Sequence, residues 1–285
     1  MQPRAEDRLS ETPPRRGRPT WLLIAAVVVI AVGLFLYQSG QEQQAPPVEE
    51  PPAPEAAVAP EPPLPPAPDI PEPAPTPAPA AAAPEAPTEP PLTLEDSDPI
   101  LRETLAEAGT AGVLVTALEQ DHIAERGVSL IDGFSRGKVL RKLLPLEPPQ
   151  APFSIAERPD GLFIDPASYR RYDDYAQAIA ELDTQQLVDS FHRFRPLLEQ
   201  AYAGLGYKAG DFDNALIRML DRILATPEIT EPIAVRKVEA VYQFRDPKLE
   251  QLTALQKQLL RTGPDNVAIV KQKAAQLRDG LLGPQ

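Results

Sequence analysis

Cysteine is absent from the chain, which excludes disulfides, thiolate zinc sites and cysteine nucleophiles. The lack suits an oxidising compartment, where a fold without disulfides must rest on its own core, and about 190 residues can build one. Histidine is nearly absent too, with only His122 and His192, 70 residues apart. No His/Asp/Glu cluster has metal-ligand spacing, and DGLFID and DFDN lack the alternating acids and closing Glu of a calcium loop. No metal and no cofactor is therefore expected. His192 follows Asp189 by three residues, which predicts a helical ion pair rather than a catalytic role.

Positive charge is missing over a long stretch, for residues 38–101 hold no Lys or Arg. The formal net charge is -13, and it is spread unevenly. Residues 1–20 carry five Arg against three acids, residues 21–91 nine acids and no base, and residues 92–285 23 bases against 29 acids. A mildly acidic folded part argues against nucleic acid as a partner, because nonspecific affinity for phosphates comes from Lys and Arg.

What the amino-terminal part does have is residues 21–37, WLLIAAVVVIAVGLFLY, with no charge, no Pro and one Gly. At ~1.5 Å per residue such a helix covers about 25 Å, close to the ~30 Å hydrocarbon core of a bilayer. Trp21 and Tyr37 stand at its ends, where amphipathic rings favour the headgroup region. Arg4, Arg8, Arg15, Arg16 and Arg18 precede it, which predicts a cytoplasmic amino terminus and everything after the span outside. A cleaved secretory signal competes with this reading, but the run exceeds the usual ~7–15 apolar residues and QSGQEQQA gives no small-x-small site.

Residues 45–91 reduce to Pro, Ala and Glu, with 20 Pro in 47 positions. So few large apolar side chains cannot offset ordering entropy, and Pro favours extended polyproline II. The segment is expected to be a disordered spacer, up to about 145 Å long at ~3.1 Å per residue. PPLPP around Leu64 looks like a ligand for a proline-reading module. Such modules are mainly cytoplasmic, and the predicted orientation sets this segment on the other side.

Residues 92–285 read as a mainly α, multi-helix domain with a small β-hairpin. Asp98-Pro99 predicts a helix start, with a break at Gly109 and Gly112, a second helix over 113–126, and a third from Gly127 to Pro145. FSIAE and LFID flank the turn-forming RPDG, which predicts a hairpin lying on the helices. Asp165-Pro166 restarts helix, Asp183 with Gln186 opens 184–203, and Asp211 or Asp213 caps the next helix. Pro196 is expected to kink the 184–203 helix. IAVRKVEAVYQF is β-branched-rich and expected to be extended. Asp246-Pro247 opens a helix to Arg261, and Gly263-Pro264 separates it from the last.

The phrases SRGKVLRKLLPL, GLFIDPASYRRYD, LGYKAGDFD, ATPEITEPI and YQFRDPKLEQLTALQKQLLRTGPDN resemble the bacterial family catalogued as domain of unknown function 3014, over roughly residues 92–281. Many members look like this chain in having an amino-terminal span and a Pro-rich spacer. The resemblance implies that domain boundary and brings no activity, ligand or catalytic residue.

Among candidate sites, Arg136, Lys138, Arg141 and Lys142 form the densest basic run. On a continuing helix Lys138, Arg141 and Lys142 fall at i, i+3 and i+4, a cationic face for an anionic polymer or acidic partner, or a solvated helix end. Residues 133–139 fail as a phosphate loop, with three residues between the glycines and Val139 where Ser or Thr must bind magnesium. Asp165, Asp173, Asp174, Asp211 and Asp213 are the acids a glycoside hydrolase would draw on, and helix capping accounts for most of them. Phe153, Phe163, Tyr169, Tyr172 and Tyr175 are either a ligand platform or the small core that holds the hairpin.

The expected organisation is a cytoplasmic tail (1–20), one transmembrane helix (21–37), a disordered linker (38–91) and a mainly helical periplasmic domain (92–285). The expected function is a single-pass inner-membrane protein displaying a non-enzymatic binding or scaffold domain, with an envelope protein or the cell wall as partner. A wall-modifying hydrolase using paired carboxylates is the alternative.

Overall fold

The computed structural model describes residues 64–72, 92–109, 115–143, 151–239 and 241–283. The tail, the apolar run 21–37 and most of the spacer lie outside these residues. No helix among the described residues is long and apolar enough to cross a membrane.

The domain is mainly helical. In chain order come α1 (Leu94–Glu107), α2 (Val115–Leu118), α3 (Ile123–Ser135), a 3-10 turn (Arg141–Leu143), β1 (Ile155–Arg158), β2 (Gly161–Ile164), α4 (Pro166–Arg170), α5 (Asp173–Glu181), α6 (Thr184–Gly204) and α7 (Phe212–Leu224). Then follow β3 (Ala234–Val238), β4 (Val241–Phe244), α8 (Pro247–Glu250), α9 (Ala254–Arg261) and α10 (Pro264–Leu282).

At the centre lies α7, where Phe212, Leu216, Met219, Leu220 and Ile223 recur at three- and four-residue spacing and are all buried. It packs on α3, α6 and α10, while α10 also covers α5 and α3 covers α1. Phe134, Phe191, Tyr172, Tyr202 and Phe212 fill this main core.

Several expected starts are right. Asp165 Oδ1 accepts from Ala167 N at 2.7 Å, Asp183 Oδ1 from Gln186 N at 2.9 Å, and Asp246 Oδ1 from Lys248 N at 2.8 Å. Asp98 is different. Thr93 caps α1, and the Asp98 carboxylate, one turn inside that helix, accepts from the backbone of His122 (2.7 Å) and Ile123 (2.9 Å). It thus caps α3 from a neighbouring helix. The break between the second and third helices falls at His122, in the left-handed region at φ 59°, and Gly127 lies buried within α3. Neither Asp211 nor Asp213 caps α7 by its side chain: α7 has no side-chain cap, and Asp213 turns inward to pair with Arg195. The helical span of α6 continues through Pro196. The expected helix 247–261 is two, because Thr253 and Gln256 form a capping box that starts α9 afresh.

The hairpin forms as expected around Pro159-Asp160, with Ile155 opposite Ile164 and Arg158 opposite Gly161. It does not stand alone. Strands β3 and β4 pair antiparallel, and Leu162 pairs with Val235 and Phe163 with Ala234, which gives one antiparallel sheet in the order β1-β2-β3-β4. The sheet has its own core, of Ile164, Ile233, Val235, Phe244 and Leu260. Arg261 and Glu250 fasten it to the helices. The Arg261 guanidinium donates to Tyr242 O at 2.8 Å and lies over Phe244, and Glu250 accepts from Phe244 N at 2.9 Å and Lys257 Nζ at 2.8 Å.

Residues 64–72, within the stretch whose composition reads as spacer, lie against α6 and α7. Ile70 is 3% exposed and belongs to the main core, with Leu64 and Ala67 packed beside it. Burying such an isoleucine is worth about 1.5–3 kcal/mol. Arg218 Nε donates to Pro65 O at 2.8 Å and its Nη2 to Pro66 O, while Arg195 Nη1 donates to Ile70 O at 3.4 Å.

Candidate functional site

The basic run falls just where α3 stops. Gly137 adopts φ +74°, its N–H bonds to Phe134 O and the Lys138 N–H to Gly133 O, both at 2.8 Å. This pair of bonds is a Schellman cap, and it turns the chain out of the helix at Ser135. The i, i+3, i+4 helical face expected for Lys138, Arg141 and Lys142 therefore does not form; the three lie on a turn and a short 3-10 segment. Lys138 and Lys142 are exposed and Arg141 is half-buried. Arg136 faces inward. Its Nε donates to both Asp132 oxygens (3.1 and 3.0 Å), its guanidinium lies 5.0 Å from the Tyr207 ring centre, and the Tyr202 hydroxyl donates to Asp132 at 3.2 Å. Burial, reinforced by Asp132, raises the Tyr202 pKa.

The seam between sheet and helices holds a cleft of about 480 Å³. Arg158 from β1, Arg170 from α4, Asp173 from α5, Glu231 before β3 and Asp265 at the start of α10 bring both charges to it. Its floor is built. Gly263 sits at φ +93°, and a Cβ there would come within 2.5 Å of the Tyr169 ring, so only glycine lets the ring pack at the start of α10. Asn266, 4% exposed, donates through Nδ2 to Thr262 O (3.0 Å), Asp173 Oδ1 (3.0 Å) and Tyr169 O (3.2 Å). Burial pushes the Tyr169 hydroxyl up to about 12, so it stays neutral and can donate.

Most of the remaining candidates are engaged in structure. Of the five aspartates, Asp165 caps α4, Asp173 orients Asn266 and Asp213 pairs with Arg195. Asp189 accepts from Gln185 at 2.9 Å rather than from His192, whose ring lies edge-on to Phe191. Burial, followed by the nearby Arg195, lowers the His192 pKa. His122 is exposed and 3.5 Å from Glu125. Four of the five aromatics are divided between the two cores, Tyr172 and Tyr175 in the main one and Phe153 and Tyr169 in that of the sheet, while Phe163 is buried under the guanidiniums of Arg158 and Arg245 and belongs to neither. Among the described residues no group of three or more His, Asp or Glu side chains could hold a metal ion.

The cleft escaped sequence reading because its residues come from five separate segments. The only local signal was Gly263-Pro264, which marks a helix start and not a ligand.

The architecture is thus a mainly helical domain carrying a four-stranded antiparallel sheet, with charged side chains gathered at their seam. The chain belongs to the family described as protein of unknown function (DUF3014), whose model matches residues 123–278. No curated protein and no solved structure matches it.

Proposed function

We propose that this chain is a single-pass inner-membrane protein of the bacterial envelope. The amino terminus faces the cytoplasm, residues 21–37 span the bilayer, and the domain is displayed in the periplasm as a non-enzymatic binding or scaffold module. The observation that carries the reading is the uncharged run 21–37, preceded by five Arg and followed by no Lys or Arg until Arg102. The turn bearing Lys138, Arg141 and Lys142 is the proposed contact for an acidic envelope partner, since it sets two exposed lysines beside a rigid helix end. Arg136 supports that turn from inside through Asp132 and Tyr207.

A reporter fused after Gln285 tests the topology. Alkaline phosphatase activity with no fluorescence from a matching green fluorescent fusion is expected, and the opposite pattern would overturn the placement. A photo-crosslinker at Lys142 in intact cells is expected to capture a discrete partner, with capture lost when Lys138 and Arg141 are changed to Glu. Capture that survives the change would remove this turn from the contact.

A further inference from the structure

The docked segment shows a period that its composition does not require. Along residues 64–72 burial repeats every third position: Leu64 and Ala67 are half-buried, Ile70 is buried, and Pro65, Pro66, Pro68, Asp69, Pro71 and Glu72 are exposed. Polyproline II has three residues per turn, so this burial period is the one that an edge of such a helix, carrying Leu64, Ala67 and Ile70 against the domain, would give. Leu64 and Ile70 are also the only Leu or Ile in residues 38–91.

The domain side fits this conformation. Polyproline II makes no internal hydrogen bonds, and a Pro-rich segment has few N–H groups, so its carbonyls need outside donors. Arg218 supplies a two-pronged donor to the consecutive carbonyls of Pro65 and Pro66, and Arg195 reaches the carbonyl of Ile70. Arg195 is itself held by Asp213 and Glu199, which fixes its guanidinium before any ligand arrives. Beyond Ile70 a further recess continues along α6, lined by Glu72, His192, Arg195, Pro196 and Glu199.

We propose that this face of α6 and α7 is a binding site for an extended proline-rich peptide with apolar side chains at every third position, and that residues 64–72 are its resident ligand. Recognition is by register. The apolar edge enters the groove, the two arginines take the carbonyls, and the prolines hold the backbone extended before binding. A peptide of the same class on another molecule competes with the resident segment for the groove.

The test uses the full-length chain and a fluorescein-labelled peptide of residues 60–75, followed by anisotropy. In a chain with Leu64→Ser and Ile70→Ser the groove is vacated, and the labelled peptide is expected to bind at least tenfold more tightly than to the unaltered chain. Adding Arg218→Ala to the vacated chain is expected to weaken binding tenfold or more, and a peptide carrying Ile70→Ser should not bind. Circular dichroism and the thermal transition establish that each variant is folded. No binding by a folded, vacated chain would overturn the proposal. So would equal binding of a peptide of identical composition with its apolar residues moved out of the three-residue register.

Discussion

Two residues carry measurable consequences on their own. Gly137 holds a left-handed conformation at the end of α3, and a Cβ there would lie 2.6 Å from the Thr253 side chain. Gly137→Ala is therefore expected to destabilise the domain by about 2–4 kcal/mol, combining left-handed strain with overpacking. A shift of the urea midpoint with unchanged slope reads this directly, and a shift below about 0.5 kcal/mol would show that the helix end is not held there. Asp213 bears on pH. Burial, opposed by Arg195 and assisted by Glu199 and Asp69, raises its pKa from 3.8 to about 6. The folded state thus binds this proton more tightly than the unfolded state. The contribution is fully present below about 3.8 and is lost as the pH rises through about 6, with an amplitude on the order of 2–3 kcal/mol. Asp213→Asn should flatten the stability profile over that interval, while Glu199 remains as a partner for Arg195. Urea midpoints at pH 4, 5, 6 and 7 for both proteins decide it, and parallel curves would assign the proton elsewhere.

Between elements, the most specific joint is Asp98, which lies in α1 and caps α3. Asp98→Ala removes an acceptor from two backbone N–H groups and should lower stability by about 1–2 kcal/mol, with Asp98→Asn losing less because one oxygen remains. Native-state hydrogen exchange at His122 and Ile123 should speed up in step, and unchanged exchange would show that another group caps α3. The same residue shows where reading a sequence stops. Asp-Pro pairs at 165 and 246 do start helices, because their capping bonds close within two residues and need nothing beyond the local chain. Asp98-Pro99 has the same letters, but Thr93 already provides the cap and the carboxylate is spent on a backbone 24 residues away. RPDG specified its hairpin locally. The β2–β3 pairing that turns two strand pairs into one sheet joins residues about seventy positions apart, which no local pattern records. For the basic run, Gly137 was visible, but its role as the residue after the cap depends on hydrogen bonds to Gly133 and Phe134.

For the whole molecule, the docked segment changes what the spacer does. In the proposed anchoring, residues 45–91 fully extended would reach at most about 145 Å, and docking of residues 64–72 leaves only the 19 residues 45–63 on the membrane side of the groove, at most about 59 Å. The balance between the two lengths follows from effective concentration. The 19 residues 73–91 hold the segment close to its groove, at a local concentration in the millimolar range, so an intrinsic affinity of about 100 μM keeps roughly nine molecules in ten docked. A weak contact is enough, and a weak contact remains reversible. Because the chain has no cysteine, spin labels can be placed cleanly at Ala45→Cys and at the exposed Lys142→Cys. Electron spin-echo distances in the full-length chain should give a compact distribution, and Ile70→Asp should move it to longer and broader values. Adding the unlabelled 60–75 peptide at high concentration to the parent chain should produce the same shift, since it occupies the groove without altering the tether. If Ile70→Asp leaves the distribution unchanged, the segment is not what sets the reach.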